Sequence, residues 1–187
     1  MGGRLTRALI LIDIQEGFDD PAWGARNNPQ AEANAAALLS LWRAAGAPVF
    51  HVRHLSRVPG SPLNPEGGHV GHKPEVAPAP GEPVIDKHVN SAFIGTDLEK
   101  RLEKAEASTL VIAGLTTPHC VSTTARMAAN MGFDVIIAHD ACATFAGNGD
   151  AAWRGGGPVD PEALHIAALD QLHGEFATVL PAAEITP

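Results

Sequence analysis

Ala8-Leu9-Ile10-Leu11-Ile12-Asp13 is an unbroken apolar run stopped by a carboxylate. A strand covered by helices on both faces has this pattern, because neither side of it meets water. The same kind of run recurs at 47–52, 84–85, 109–113, 135–138 and 177–180. Between the runs lie stretches of helical composition. Residues 31–45 place Leu38, Leu39 and Trp42 at helical spacing and end at Gly46, where a left-handed residue closes a helix. Thr96 is the expected cap of a helix reaching Lys104, with Glu99 three residues on in the capping-box position. Residues 121–131 and 161–172 make two more. Strands alternating with helices predict right-handed crossovers and an α/β fold: one domain with a six-stranded, mostly parallel, doubly wound sheet of order 3-2-1-4-5-6 and helices on both faces.

Composition narrows the function. The chain has 187 residues, enough for one core and few for two domains. Its formal charge of -8, with no compensating Lys or Arg run, argues against a nucleic-acid partner. No apolar stretch approaches the roughly 20 residues that span a bilayer, and the 8–12 run reads as a strand and not a signal peptide. Two cysteines, Cys120 and Cys142, make no disulfide framework, so a reducing, cytoplasmic setting is expected. Residues 57–83 hold much of the Pro and Gly without periodicity and read as a long surface excursion.

In this winding order strands one and four are neighbours where the winding reverses, and ligands bind at the carboxyl ends there. Asp13 ends the first strand and Cys120 follows the fourth, so topology alone brings them to one crevice. Gly114-Leu115-Thr116-Thr117-Pro118-His119-Cys120 reads as strand end and helix start, with Thr117 as N-cap, Pro118 at N1 and Cys120 at N3. The helix dipole and free amides of that first turn favour a thiolate and suit an oxyanion. Lys87, after the third strand, would depress the thiol pKa further, and Asp13 would carry the proton between thiol and leaving group. Taken singly each residue also has a plain structural use: Cys120 as a small packing residue, Asp13 as a helix cap, Lys87 as a solvated cation. Cys142 has nothing to activate it. Phe18, Trp23 and Phe93 lie in loops at the same sheet edge and would form an aromatic wall for a flat, uncharged group, with His54, Thr117 and His119 beside it. Trp153 and Arg154, next to three glycines, would make a mobile flap.

Three separated stretches then become familiar in order: Ile10-Leu11-Ile12-Asp13-Ile14-Gln15, Asp86-Lys87-His88-Val89-Asn90-Ser91-Ala92-Phe93, and Gly114-Leu115-Thr116-Thr117-Pro118-His119-Cys120-Val121-Ser122-Thr123-Thr124-Ala125-Arg126. They resemble the isochorismatase-like cysteine hydrolases, and the resemblance extends to residues 134–140 and 172–176. It implies an Asp-Lys-Cys triad at Asp13, Lys87 and Cys120, and a non-proline cis peptide between Leu115 and Thr116 that aims the amides of Thr116 and Cys120 at an oxyanion. The implied reaction is cleavage of a small molecule's amide-type C–N bond through an acyl-enzyme, by an enzyme that is commonly a dimer or tetramer. Nicotinamidases of this family carry an Asp-x-His metal motif; His51-Val52-Arg53-His54 lacks the Asp. The nine histidines form no four-ligand cluster, so neither metal nor cofactor is expected. An ether hydrolase without covalent intermediate, a non-catalytic binder and an oxidisable sensor thiol remain as alternatives.

Overall fold

The computed structural model describes residues 6–187, leaving the first five residues of the N-terminus outside the description. Six strands, β1 (Thr6–Ile12), β2 (Val49–His54), β3 (Val84–Lys87), β4 (Ala107–Leu115), β5 (Asp134–Ala143) and β6 (Thr178–Leu180), form one sheet in the order β3-β2-β1-β4-β5-β6. Every neighbouring pair is parallel. The helices are α1 (Ala31–Ala45), α2 (Leu98–Lys104), α3 (Ser122–Asn130) and α4 (Pro161–Leu172).

The central strand explains the layers. Ala8, Ile10 and Ile12 point to one side and pack with Leu98 and Leu102 of α2, Ala125 and Ala128 of α3, and Leu169 and Leu172 of α4. Leu9 and Leu11 point to the other side, against Ala35, Leu38, Leu39 and Trp42 of α1. All five residues from Ala8 to Ile12 are almost wholly removed from water. At about 1.5–3 kcal/mol for each large aliphatic side chain buried, β1 is the strand around which both cores condense. Trp42, itself fully buried, satisfies its indole N–H on the Arg7 carbonyl at 3.0 Å. Gly46 adopts the left-handed conformation expected of it, at φ 62°.

Two local expectations are corrected. β5 runs on to Ala143 because its register to β4 shifts between Ile112↔Ile137 and Gly114↔Cys142. The displaced stretch is held from outside the sheet: Asn34 of α1 donates to the Asp140 carbonyl at 2.8 Å, and the Asp140 carboxylate accepts from the Ala182 N–H at 2.7 Å. Cys142 is therefore a buried strand residue, not one beyond the strand. Thr96 makes no capping box; α2 starts one residue later from Asp97, and Asp97 pairs with Arg101 instead. The 57–83 segment is the surface excursion expected, and part of it is strapped to the chain after β1. Residues 69–73 run antiparallel beside 14–17, with Glu16 donating to Gly71, Gly17 to His69 and Lys73 to Ile14 at 2.7–2.9 Å.

Candidate active site

Asp13 leaves β1 at φ 52°, a left-handed conformation that Asp tolerates better than most residues, and its N–H donates to Val52 at 2.9 Å. The turn drops its carboxylate below the carboxyl edge of the sheet. Gly114 lies beside it on β4, at φ 133°. A Cβ there would sit 2.0 Å from the Ile12 carbonyl oxygen, so only glycine permits this approach of the two strands. The next peptide, Leu115–Thr116, is cis.

The chain then enters a π-helical turn, Thr117–Val121, and not the α-helical start expected. Thr116 takes the cap position, and its carbonyl accepts from Val121 at 3.3 Å and His119 at 3.1 Å. In an α-helix that carbonyl would take the Cys120 N–H. Thr117 is consequently neither cap nor cleft residue: it is fully buried, and its hydroxyl bonds His165 Nδ1 of α4 at 2.8 Å.

Asp13, Lys87 and Cys120 meet as the sequence predicts. Lys87 Nζ lies 2.7 Å from Asp13 Oδ2 with both side chains at 0 % exposure, and donates to Cys120 Sγ at 3.2 Å and to the Val89 carbonyl at 3.1 Å. Both Asp13 oxygens are buried, and among the described residues neither meets a donor in full hydrogen-bond geometry, Oδ2 being held by its ion pair with Lys87. His54 Nδ1 faces the same ammonium at 3.1 Å. An ammonium only donates, so this nitrogen presents its lone pair and the ring is the neutral Nε2–H tautomer. Burial, aided by Lys87, pulls His54 down to about 4, in keeping with that form.

The electrostatics differ from the thiolate expected. Burial pushes the Cys120 thiol up, Asp13 pushes it further, and the opposing pull of Lys87 does not compensate. Burial also raises Asp13 despite Lys87. For Lys87 burial favours the neutral amine, but Asp13 and Cys120 outweigh it and the ammonium is held. These directions favour a protonated thiol over a free thiolate beside the Lys87 ammonium. Ligand atoms of Asp13, His54 and Cys120 lie within 4.8 Å of one another, a spacing that a metal could use. Lys87 already sits against all three, so the cation of this cluster is the protein's own.

Above Cys120 opens a cleft of about 120 Å³. Its walls include Asp13, Phe18, Trp23, His54, Thr116 and His119, all expected there. Phe18 stacks on Phe145 with centroids 5.6 Å apart, and Trp23 lies 4.9 Å from Phe18. Phe93 is not part of this wall; it packs into the core against Phe133. Trp153 is 84 % exposed, and neither it nor Arg154 lines the cleft. Leu63, Asn90 and Asn148 do line it and were missed. So was Gln15, which is buried and fastens the end of β2: its side chain accepts from the His54 N–H at 2.7 Å and donates to the carbonyls of His54 and Val70. Only its place two residues after Asp13 hinted at a role.

An acid, a cation and a thiol gathered at the winding reversal of this sheet define a hydrolase of the isochorismatase fold. The Isochorismatase domain model matches residues 7–184, and the chain belongs to the isochorismatase family. It is 45% identical over 176 residues to the isochorismatase family protein YrdC of Bacillus subtilis (strain 168), covering 93% of this chain and 91% of that protein. Among solved structures, a hydrolase of the isochorismatase family from Chromobacterium violaceum ATCC 12472 superposes with a TM-score of 0.88 at 44% identity, covering 98% of this chain and 95% of that one. The maleamate amidohydrolase of Pseudomonas putida is 28% identical, over 91% of this chain and 82% of its own length. Among the described residues no helix is long and apolar enough to cross a membrane.

Proposed function

We propose that this hydrolase cleaves the C–N bond of a small amide through a covalent intermediate on Cys120. The observation that carries the reading is the buried contact set in which Lys87 touches both Asp13 and Cys120. A carboxylate raised by burial, next to a thiol raised by burial, is suited to take the thiol proton only as the sulfur attacks.

In this mechanism Asp13 accepts the Cys120 proton as sulfur bonds to the amide carbon, and the carbonyl electrons move onto oxygen. The N–H groups of Thr116 and Cys120 receive that oxyanion, the second being released by the π-turn from the Thr116 carbonyl. The C–N bond then breaks, with Asp13 passing its proton to the departing nitrogen. Asp13 then takes a proton from water as its oxygen attacks the thioester carbon, the C–S bond breaks, and Asp13 passes that proton to the departing sulfur. Amide plus water becomes acid plus amine. Lys87 keeps its charge throughout and holds Asp13 and Cys120 in place, and the name of the amidohydrolase relative agrees with this bond type.

The test is ammonia release from a panel of small primary amides by wild type, Cys120→Ala and Asp13→Asn. Loss of release in both variants supports the thiol mechanism. Turnover that survives Cys120→Ala overturns it, and its loss in Asp13→Asn alone would point to hydrolysis without a covalent intermediate.

A further inference from the structure

The cleft walls carry a recognition pattern that the catalytic cluster does not use. Asn148 follows β5, far in sequence from the triad, and its side chain is oriented by two donors. Its Oδ1 accepts from the Phe145 N–H at 3.0 Å and from the Thr144 hydroxyl at 2.8 Å. The Phe145 amide can only donate, so Oδ1 cannot exchange places with Nδ2. Among the described residues neither amide hydrogen then meets an acceptor, on a residue that lines the cleft.

The charges around the cleft are committed. Lys87 is paired with Asp13 behind Cys120. Arg26, stacked on the outside of Phe145 at 5.6 Å, is bound in bidentate fashion by Glu32 at 2.6–2.7 Å. Burial pulls His54 and His119 below their ordinary pKa, so at neutral pH both rings are uncharged. Among the described residues no free cation lines the cleft. A substrate carboxylate would meet Asp13 and no counter-charge, and would pay desolvation unrepaid. A neutral acceptor oxygen or ring nitrogen has a matched donor in Asn148.

We propose that Asn148 Nδ2 is the specificity donor of this cleft, and that the substrate is an uncharged small amide with a hydrogen-bond acceptor on its acyl side. This rests on the amidase reading above. The cleft volume, well below the ~300–1,000 Å³ of drug-sized sites, suits a small acyl group beside Cys120.

Four primary amides of similar length separate the possibilities: methyl succinamate (neutral, with acceptor), valeramide (neutral, without), succinamate (anionic) and 4-aminobutanamide (cationic). Asn148→Asp keeps Oδ1 for Phe145 and Thr144 and exchanges the free donor for an acceptor, so it alters the cleft and leaves the loop anchored. For wild type kcat/KM is expected to be about 10-fold higher for methyl succinamate than for valeramide, the worth of one well-placed hydrogen bond. Succinamate should fall about 100-fold below methyl succinamate, because its charge is buried unpaired. In Asn148→Asp the preference for methyl succinamate over valeramide should vanish and 4-aminobutanamide should gain. An unchanged preference in that variant, or succinamate hydrolysed as well as its methyl ester, overturns the proposal. If no amide is hydrolysed, the amidase reading fails by itself. Calorimetric binding of the same four compounds to Cys120→Ala, with and without Asn148→Asp, then reads the same selectivity, and equal affinity for ester and carboxylate would refute it.

Discussion

Replacing both members of the buried Asp13–Lys87 pair should cost far less than the two single replacements added together. The two charges are 2.7 Å apart and wholly buried. At an effective dielectric constant of about 20 their attraction is on the order of 6 kcal/mol. Asp13→Asn leaves an ammonium without its counter-charge, and Lys87→Met leaves a carboxylate without one. Each single change is expected to cost about 3–5 kcal/mol. The double variant Asp13→Asn/Lys87→Met removes both charges along with their desolvation penalties, so it should fall at least about 3 kcal/mol short of the sum of the singles. Urea unfolding at pH 7 measures all four corners of the cycle. For a chain of this length each single should melt roughly 6–20 °C lower than wild type. Additivity within about 0.5 kcal/mol would mean that the pair is not a coupled ion pair in the folded protein, and the proton-transfer role assigned to Asp13 would lose its electrostatic basis.

Gly114→Ala should be severe, about 4 kcal/mol or more, since its Cβ would meet the Ile12 carbonyl oxygen at 2.0 Å. Gly46→Ala, equally left-handed but facing open space, should cost only about 1 kcal/mol, and thermal melts of the two variants compare them directly. Acid should weaken the fold through histidine. His54 and His72 are both held down to about 4, chiefly by burial, against an ordinary value of 6.5. Between those values the unfolded chain binds protons that the folded one refuses, so stability is full above about pH 6.5, falls as pH drops towards 4, and levels off below it. Urea midpoints at pH 7.5 and 5.0 should show a smaller drop for His72→Gln than for wild type; equal drops would refute the assignment.

The strands were legible because a strand covered on both faces must be apolar at every position, as β1 is from Ala8 to Ile12, and the winding order followed from right-handed crossovers. The meeting of Asp13 with Cys120 came from that order and not from any side-chain detail. What failed to show depends on contacts distant in sequence. β5 continues past Ala138 with a shifted register to β4, held there by contacts such as those of Asn34 and Ala182 to Asp140. Thr117 looks like a cap until His165, 48 residues on, takes its hydroxyl. Phe93 and Phe18 are alike as loop aromatics, and only the packed structure sends one into the core and the other into the cleft wall. The expectation of a thiolate rested on the dipole at a helix start, which omits burial, and burial here pushes the thiol up. Asn148 is the exception, oriented by its near neighbours Thr144 and Phe145, and what its sequence position does not reveal is that the turn sets it against the cleft.

Gly114 has a meaning for how this site could change over time. The approach of Asp13 to the turn that carries Cys120 is set largely in main chain, by two strands brought together where a methyl group is missing. Loops bearing Phe18, Leu63, Asn90 and Asn148 are thereby free to vary around a fixed reaction centre. A lineage could move from one substrate to another by exchanging these residues, without rebuilding the chemistry beneath them.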